Sequence, residues 1–333
     1  YVAGEPITEQ IEHINITCAV CHDPHSAKNE YQLRTTEAML SNGEMAPDAA
    51  GLGALCMNCH QSRRDANTYT NQAAGHYGPH YAPQADMLIG TNAVTFGKKL
   101  PTSPHISALD NACVDCHMHE KGSHGEHDDD GNLNTAGMHS FSMVDANGVD
   151  NVIACSGCHG EVGDTFDHKK FYMNGNADHD GDGEEEGLQE EVHGLIDKLG
   201  AMLPSDDVHQ DPDSTWTVTE LKASFNHRLV YYDHSYGIHN PAFIVSLLKV
   251  SMQALMNNAI EGEIVAIDDV PNDQGKKVRI IWDKMADDGI SVDPVKRYVV
   301  KRLDTDKEVW VSVGEVPADG SKRYALTVPT VYD

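Results

Sequence analysis

Long apolar runs are missing from this 333-residue sequence, and none approaches the roughly 18 residues that a membrane-crossing helix needs. Basic residues are scarce as well: 24 Lys and Arg stand against 52 Asp and Glu, a formal net charge of −28. With no cationic stripe to displace counterions from phosphates, nucleic-acid binding is excluded as an expectation. Aromatics make up only 6% of residues, 28 residues are Gly, and mean hydropathy is −0.45, so side chains offer little filling for a core. The first residues, Tyr1-Val2-Ala3-Gly4, include neither Met nor a charged-then-apolar leader, and the expectation is a mature terminus left by signal cleavage. Finally, no cysteine lies outside four pairs, and neither cysteine nor histidine occurs after His239.

Those pairs are what the sequence does have. Cys18-Ala19-Val20-Cys21-His22, Cys56-Met57-Asn58-Cys59-His60, Cys113-Val114-Asp115-Cys116-His117 and Cys155-Ser156-Gly157-Cys158-His159 repeat one pattern and use all 8 cysteines. Two thiols three positions apart with His directly after the second match covalent c-type haem attachment, in which the cysteines take the vinyl carbons and the histidine binds iron. Structural zinc collects thiolates in tetrahedral sets and has no need of His at that one offset four times. Disulfides within pairs would close very small loops and constrain little. Four haems are therefore expected, with His22, His60, His117 and His159 as proximal ligands. Because thioether attachment takes place outside the cytoplasm, the expected location is extracellular, at the cell surface or, alternatively, periplasmic.

The pattern divides the chain into a tetrahaem region, residues 1–261, and a β region, residues 262–333. Up to about residue 260 little periodicity is evident. Passages such as Gly75-His76-Tyr77-Gly78-Pro79-His80 and Pro101-Thr102-Ser103-Pro104-His105 read as loops, and the expected helices are short and cluster around the motifs. The stretch from Asn240 to Ile260 is the most convincing helix. Asn240 is a suitable N-cap, Pro241 suits the first turn, and Phe243, Ile244, Leu247, Leu248, Met252, Leu255 and Met256 recur at helical steps. Past residue 261, alternating runs at 263–267, 277–282, 297–303, 309–313 and 324–328 predict antiparallel strands of a small sandwich.

Asp178, Asp180 and Asp182 alternate before Gly183 like the front half of a calcium loop, but Gln189 holds the place of the expected bidentate Glu, and a solvated acidic loop is the competing reading. The segment 126–132 is a weaker relative. The acidic surroundings of His124, His127, His179, His193 and His209 predict solvent exposure for these histidines.

Each iron needs a second axial ligand, and 16 of the 20 histidines lie outside the motifs. Six candidates compete for four places: His13, His25, His80, His105, His139 and His239. Bis-histidine ligation closes both axial positions, which suits electron transfer rather than catalysis.

The stretches Cys18 to His25 and Cys113 to His119, His139-Ser140-Phe141 and Gly237-Ile238-His239-Asn240-Pro241 resemble the multihaem c-type cytochromes related to tetrahaem electron carriers and pentahaem nitrite reductases. That resemblance implies a fold of loops and short helices wrapped around haems, with His139 and His239 as distal ligands. The count of four, with Gly78-Pro79-His80 followed by Gln84-Ala85-Asp86-Met87-Leu88, is more similar to extracellular tetrahaem cytochromes that polymerise into conductive filaments. Head-to-tail contact with other copies is then implied, together with redox partner proteins or extracellular acceptors. No Cys-x-x-Cys-Lys occurs, so the catalytic haem of the nitrite reductases has no counterpart. Trp282 and Tyr298 resemble the early strands of a fibronectin type III domain, an addition that short filament cytochromes do not require. A soluble periplasmic shuttle and an oxidoreductase with one five-coordinate haem are the competing expectations.

Overall fold

The computed structural model describes residues 16–120, 136–257, 264–271, 273, 275–284, 297–304 and 309–330. His13, the acidic stretch 126–132, His124 and the last turn expected of the Asn240 helix fall outside them.

Each motif occupies a single helical turn. Helices α1 (Cys18–Cys21), α6 (Cys113–His117) and α7 (Ile153–His159) carry the first, third and fourth. The second begins in α2 (Ala54–Met57), and the turn carries on as His60 N–H donates to Cys56 O at 2.9 Å. A helical turn places residues three and four apart on one side, which is why Cys-x-x-Cys-His presents both thiols and the imidazole together. Between the motifs lie the short helices α3 (Ala66–Tyr69), α4 (Gln84–Ile89) and α5 (His105–Ala108), separated by turns.

Close backbone approaches press these pieces together. The turn Asp48–Gly53, which leads into the second motif, lies against residues 110–113 before the third. A Cβ on Gly51 would sit 2.2 Å from Asp110 O, and Leu52 N–H donates to Asn111 Oδ1. Gly137 (φ 77°, ψ −169°) holds a conformation open essentially to glycine alone, and any Cβ there would fall 2.0 Å from His119 O. This contact fastens the loop bearing His139 to the end of α6.

The expected helix after Asn240 is present as α10 (Pro241–Asn257), but two further long helices, α8 (Leu188–Gly200) and α9 (Val218–Asp233), depart from the expectation of short helices elsewhere in the region. The three pack on one another and bury an ordinary apolar core, including Val192, Leu195, Leu199, Phe225, Leu229, Ile244, Leu247 and Leu248. Helix α9 shows no amphipathic stripe because it is buried nearly all round, with Ser224, Asn226, His227 and Arg228 inside alongside Phe225 and Leu229. Its start was nevertheless readable. Thr217 and Glu220 form a reciprocal capping box, Glu220 N–H to Thr217 Oγ1 at 3.2 Å and Thr217 N–H to Glu220 Oε2 at 2.7 Å.

Asn240 does cap α10, accepting from Phe243 N–H at 3.3 Å. It is wholly buried and also accepts from Ser103 N–H at 2.7 Å, so the cap ties α10 to the loop before α5. Among the described helices none is long and apolar enough to cross a membrane.

The C-terminal strands are β1 (Ile264–Asp269), β2 (Lys277–Asp283), β3 (Arg297–Asp304), β4 (Val309–Pro317) and β5 (Arg323–Pro329). All pairings are antiparallel, in one sheet of order β1-β2-β5 and a second of β3-β4. Trp282, Tyr298 and Tyr324 stack at the centre with ring centroids 4.6 to 6.0 Å apart, joined by Ile280 and Val328. The strands run longer than the alternation indicated, β4 above all, which continues through Gly314 past a bulge opposite Val300 and Lys301.

Candidate functional site

The four motifs form a row in sequence order. The first meets the second where Cys21 lies close enough to Cys56 and Cys59 for their charges, added to burial, to raise its pKa. The second meets the third where Cys56 and Cys113 lie close enough to shift one another's pKa, Cys56 downward and Cys113 upward. The third meets the fourth where burial and then the neighbouring Cys155 push the Cys116 thiol up to about 11. None of the eight cysteines is paired in a disulfide, and none is fully buried. Among the described residues, the group that gathers three metal-ligand atoms within 4.8 Å of one another is acidic.

Three of the four motif histidines stand opposite a second imidazole. His22 faces His139 with ring centroids 6.3 Å apart, His117 faces His239 at 6.3 Å, and His159 faces His105 at 6.0 Å. Two imidazoles bound to opposite sides of one metal, with metal–nitrogen bonds of about 2 Å, hold their centroids roughly 6 Å apart. The donor set present therefore fits an iron between each pair, and the adjacent cysteines fit covalent attachment of its porphyrin. Burial, the largest cause in both cases, lowers the pKa of His117 and of His159, which favours the neutral ring that binds metal.

The remaining candidates are placed differently. His25 is exposed, and its backbone N–H bonds to Asp23. His80 packs edge-on against Tyr81. Neither faces a motif histidine among the described residues, and no described imidazole stands opposite His60. His60 instead has its Nδ1 3.3 Å from Gln84 Oε1.

Backbone and side-chain acceptors hold rings of each pair by Nδ1, which leaves Nε2 as the nitrogen for a metal. His22 Nδ1 lies 2.7 Å from Tyr31 O and His117 Nδ1 3.0 Å from Phe141 O, while His105 Nδ1 lies 3.2 Å from His239 O. Since His139 and Phe141 share one loop, that loop braces the first and third sites together. Residue 239 likewise braces the third and fourth. His239 itself meets a carboxylate, Asp233 Oδ1 at 2.7 Å. Burial works against charging this ring, but the Asp233 charge and hydrogen bond outweigh it and raise its pKa. Sequence reasoning missed Asp233 because nothing in spacing marks a residue that ends a buried helix six positions before His239.

The acidic loop closes otherwise than expected. Asp178, Asp180 and Glu191 from α8 bring one carboxylate oxygen each within 4.8 Å of one another. Asp182 is not in that group, and its carboxylate accepts from Glu184 N–H instead. The carboxylate sought at Gln189 is thus supplied one half-turn later by Glu191, which is buried and accepts from the N–H groups of His179, Asp180 and Glu186. Lys198 pairs with Asp180 at 3.1 Å. His179, expected in solvent, is buried and bonds to Phe171 O at 2.8 Å, while His193 and His209 are exposed as expected.

No family model matches the chain, and no curated protein matches its sequence. Among solved structures it is similar to the outer cell wall cytochrome OcwA, with 20% identity and a TM-score of 0.41 over 77% of this chain and 43% of that one. It is also similar to an undecahaem cytochrome from the S-layer of Carboxydothermus ferrireducens, with 22% identity and a TM-score of 0.41 over 73% of this chain and 32% of that one. The chain thus spans less than half the length of either structure. A likeness at that level leaves the functional reading to the motifs and the paired rings.

Proposed function

We propose that this chain is a multihaem c-type cytochrome that passes electrons along four covalently attached haems. The observation that carries the reading is the set of three motif histidines each facing a second imidazole across the span of one iron. In this reading His22 pairs with His139, His117 with His239 and His159 with His105, and the ligand opposite His60 comes from outside the described residues, with His13 the candidate in this chain. Bound haem supplies a one-electron iron couple. The residues supply its attachment, two neutral imidazoles per iron, and contact between successive motifs.

With both axial positions filled at the His22, His117 and His159 sites, small substrates are kept from those three irons, which supports a carrier; an open axial position at His60 would support the competing reading, an oxidoreductase with one five-coordinate haem. Thioether attachment takes place outside the cytoplasm, which supports a location that is extracellular, at the cell surface or, alternatively, periplasmic. Cys18 and Cys158 at the two ends of the row are exposed, as is Cys59 within it, and the end motifs also have exposed Ile16, Val20 and Ile153 beside them. These ends are where a redox partner, or the next copy in a head-to-tail polymer, would continue the row. Residues 262–333 serve as a fibronectin type III-like contact or spacer module. Calcium held by Asp178, Asp180 and Glu191 is a separate proposal about stability, tested by whether a chelator lowers Tm.

Intact-mass measurement of the native protein tests the core of the proposal. An increment of four haems is expected, with a low-spin optical spectrum; fewer than four, or a dominant high-spin ferric signal, would overturn it. Electron microscopy at high concentration tests the polymer, which is refuted if only monodisperse particles are seen.

A further inference from the structure

In the three facing pairs His22, His105 and His117 each hold a backbone carbonyl at Nδ1, whereas His239 holds a carboxylate. Asp233 Oδ1 lies 2.7 Å from His239 Nδ1, and the Asp233 side chain is fully shielded from solvent. Its place is fixed from several directions. It is the last residue of α9, and His234 (φ 58°) then turns the chain back. Its other oxygen, Oδ2, accepts from the Ser235 hydroxyl and from Ser235 N–H. Ser235 Oγ in turn accepts from His239 N–H at 3.2 Å, closing a short loop around ligand and carboxylate.

We propose that Asp233 is a positioning and tuning residue that makes the His117/His239 site the lowest-potential member of the row, a divide between the first two sites and the fourth. The inference rests on the haem reading given above. A carboxylate draws the Nδ1 proton more strongly than a carbonyl does, and leaves the opposite nitrogen a stronger electron donor to the metal. A buried negative charge so close to the iron also favours its more positive, ferric state, because little water screens it. Both effects act in one direction. At a given applied potential this iron stays oxidised while its neighbours accept an electron, so an electron crossing from the second site to the fourth must pass over it.

Asp233→Asn keeps the shape and an acceptor oxygen for Nδ1 but removes the charge. In a spectroelectrochemical titration of the holoprotein, one of the four components, the lowest, is expected to move upward. The ferrous-to-ferric ratio at that component should rise at least tenfold at fixed potential, about 59 mV for one electron. All haems should stay low-spin. Ser235→Ala, which frees Asp233 to bond His239 harder, is expected to shift the same component downward.

An unchanged Asp233→Asn titration with low-spin haems overturns the inference, and so does loss of a low-spin signal in that variant, since Asp233 would then hold the ligand without tuning it. If Asp233→Asn does not fold, an unshifted Ser235→Ala titration overturns it alone. His239→Ala separates this outcome from failure of the haem reading. If that variant opens no axial position, the ligand assignment itself is wrong; if it opens one while Asp233→Asn shifts nothing, only the tuning is refuted.

Discussion

Removing His139, His239 or His105 by substitution with Ala should open one iron each time and leave the other three as they were. The magnitude follows from the pairing. Each of these rings faces one motif histidine across 6.0 to 6.3 Å, and no described ring faces two motif histidines. One ligand lost is therefore one axial position gained out of four. In the reduced protein, carbon monoxide uptake should rise by about one equivalent per chain relative to wild type, with about a quarter of the Soret intensity changing from low-spin to ligand-exchangeable character. His80→Ala and His25→Ala should change neither. Carbon monoxide titration followed optically measures both quantities, and a magnetic-resonance spectrum of the ferric protein gives the high-spin fraction independently. Uptake unchanged in all three variants would refute the pairing, as would an increase on replacing His80. A double variant, His105→Ala with His139→Ala, should take up about two equivalents, because the two rings serve different motifs.

Gly137→Ala meets both a glycine-only backbone conformation and the His119 carbonyl, so it should cost roughly 1–3 kcal/mol locally and free a fraction of the His22 site for carbon monoxide. Asn240→Ala removes the acceptor shared by Ser103 N–H and Phe243 N–H in a wholly buried place, and denaturant unfolding should show a loss of about 2–4 kcal/mol. His227 is buried, and burial followed by the Arg228 charge lowers its pKa to about 4 from the ordinary 6.5. The folded state therefore resists its protonation: stability is whole above pH 6.5 and falls as pH drops towards 4, by up to about 3 kcal/mol. Melting curves across that window should be flatter for His227→Gln, and an equal slope in the variant would refute the assignment. Phe225→Ala, at the centre of the three-helix core, should cost about 3–5 kcal/mol while leaving the low-spin spectrum of any protein that still folds unchanged.

The convergence of two thiols and an imidazole in each motif was legible in the sequence because it is local. Two thiols and an imidazole within five residues need only one helical turn to converge, and that turn forms in each motif whatever surrounds it. The C-terminal strands were legible for a similar reason, since alternation and turn residues act over a few positions. The cap at Asn240 and Pro241 could also be read, as could the apolar stripe of α10. Helix α9 could not, because a segment buried on all sides loses the polar face by which periodicity is recognised, and only its capping box remained as a signal. Glu191 was passed over because the calcium-loop template fixes a position along the chain, while a helix returning over the loop can supply a carboxylate from outside that register.

What the sequence alone determined is therefore the number and spacing of the Cys-x-x-Cys-His motifs, and that 16 further imidazoles are present to stand opposite them. Which imidazole meets which motif was decided by tertiary structure. His139 lies closer in sequence to the third and fourth motifs yet faces the first, and His239 faces the third from 122 positions away. Those meetings depend on a glycine-only turn at 137 and on a buried cap at 240, and the carboxylate behind His239 comes from the end of a different helix. A ligand pair is a contact across space, and sequence spacing fixes such contacts only within a turn or two of the chain.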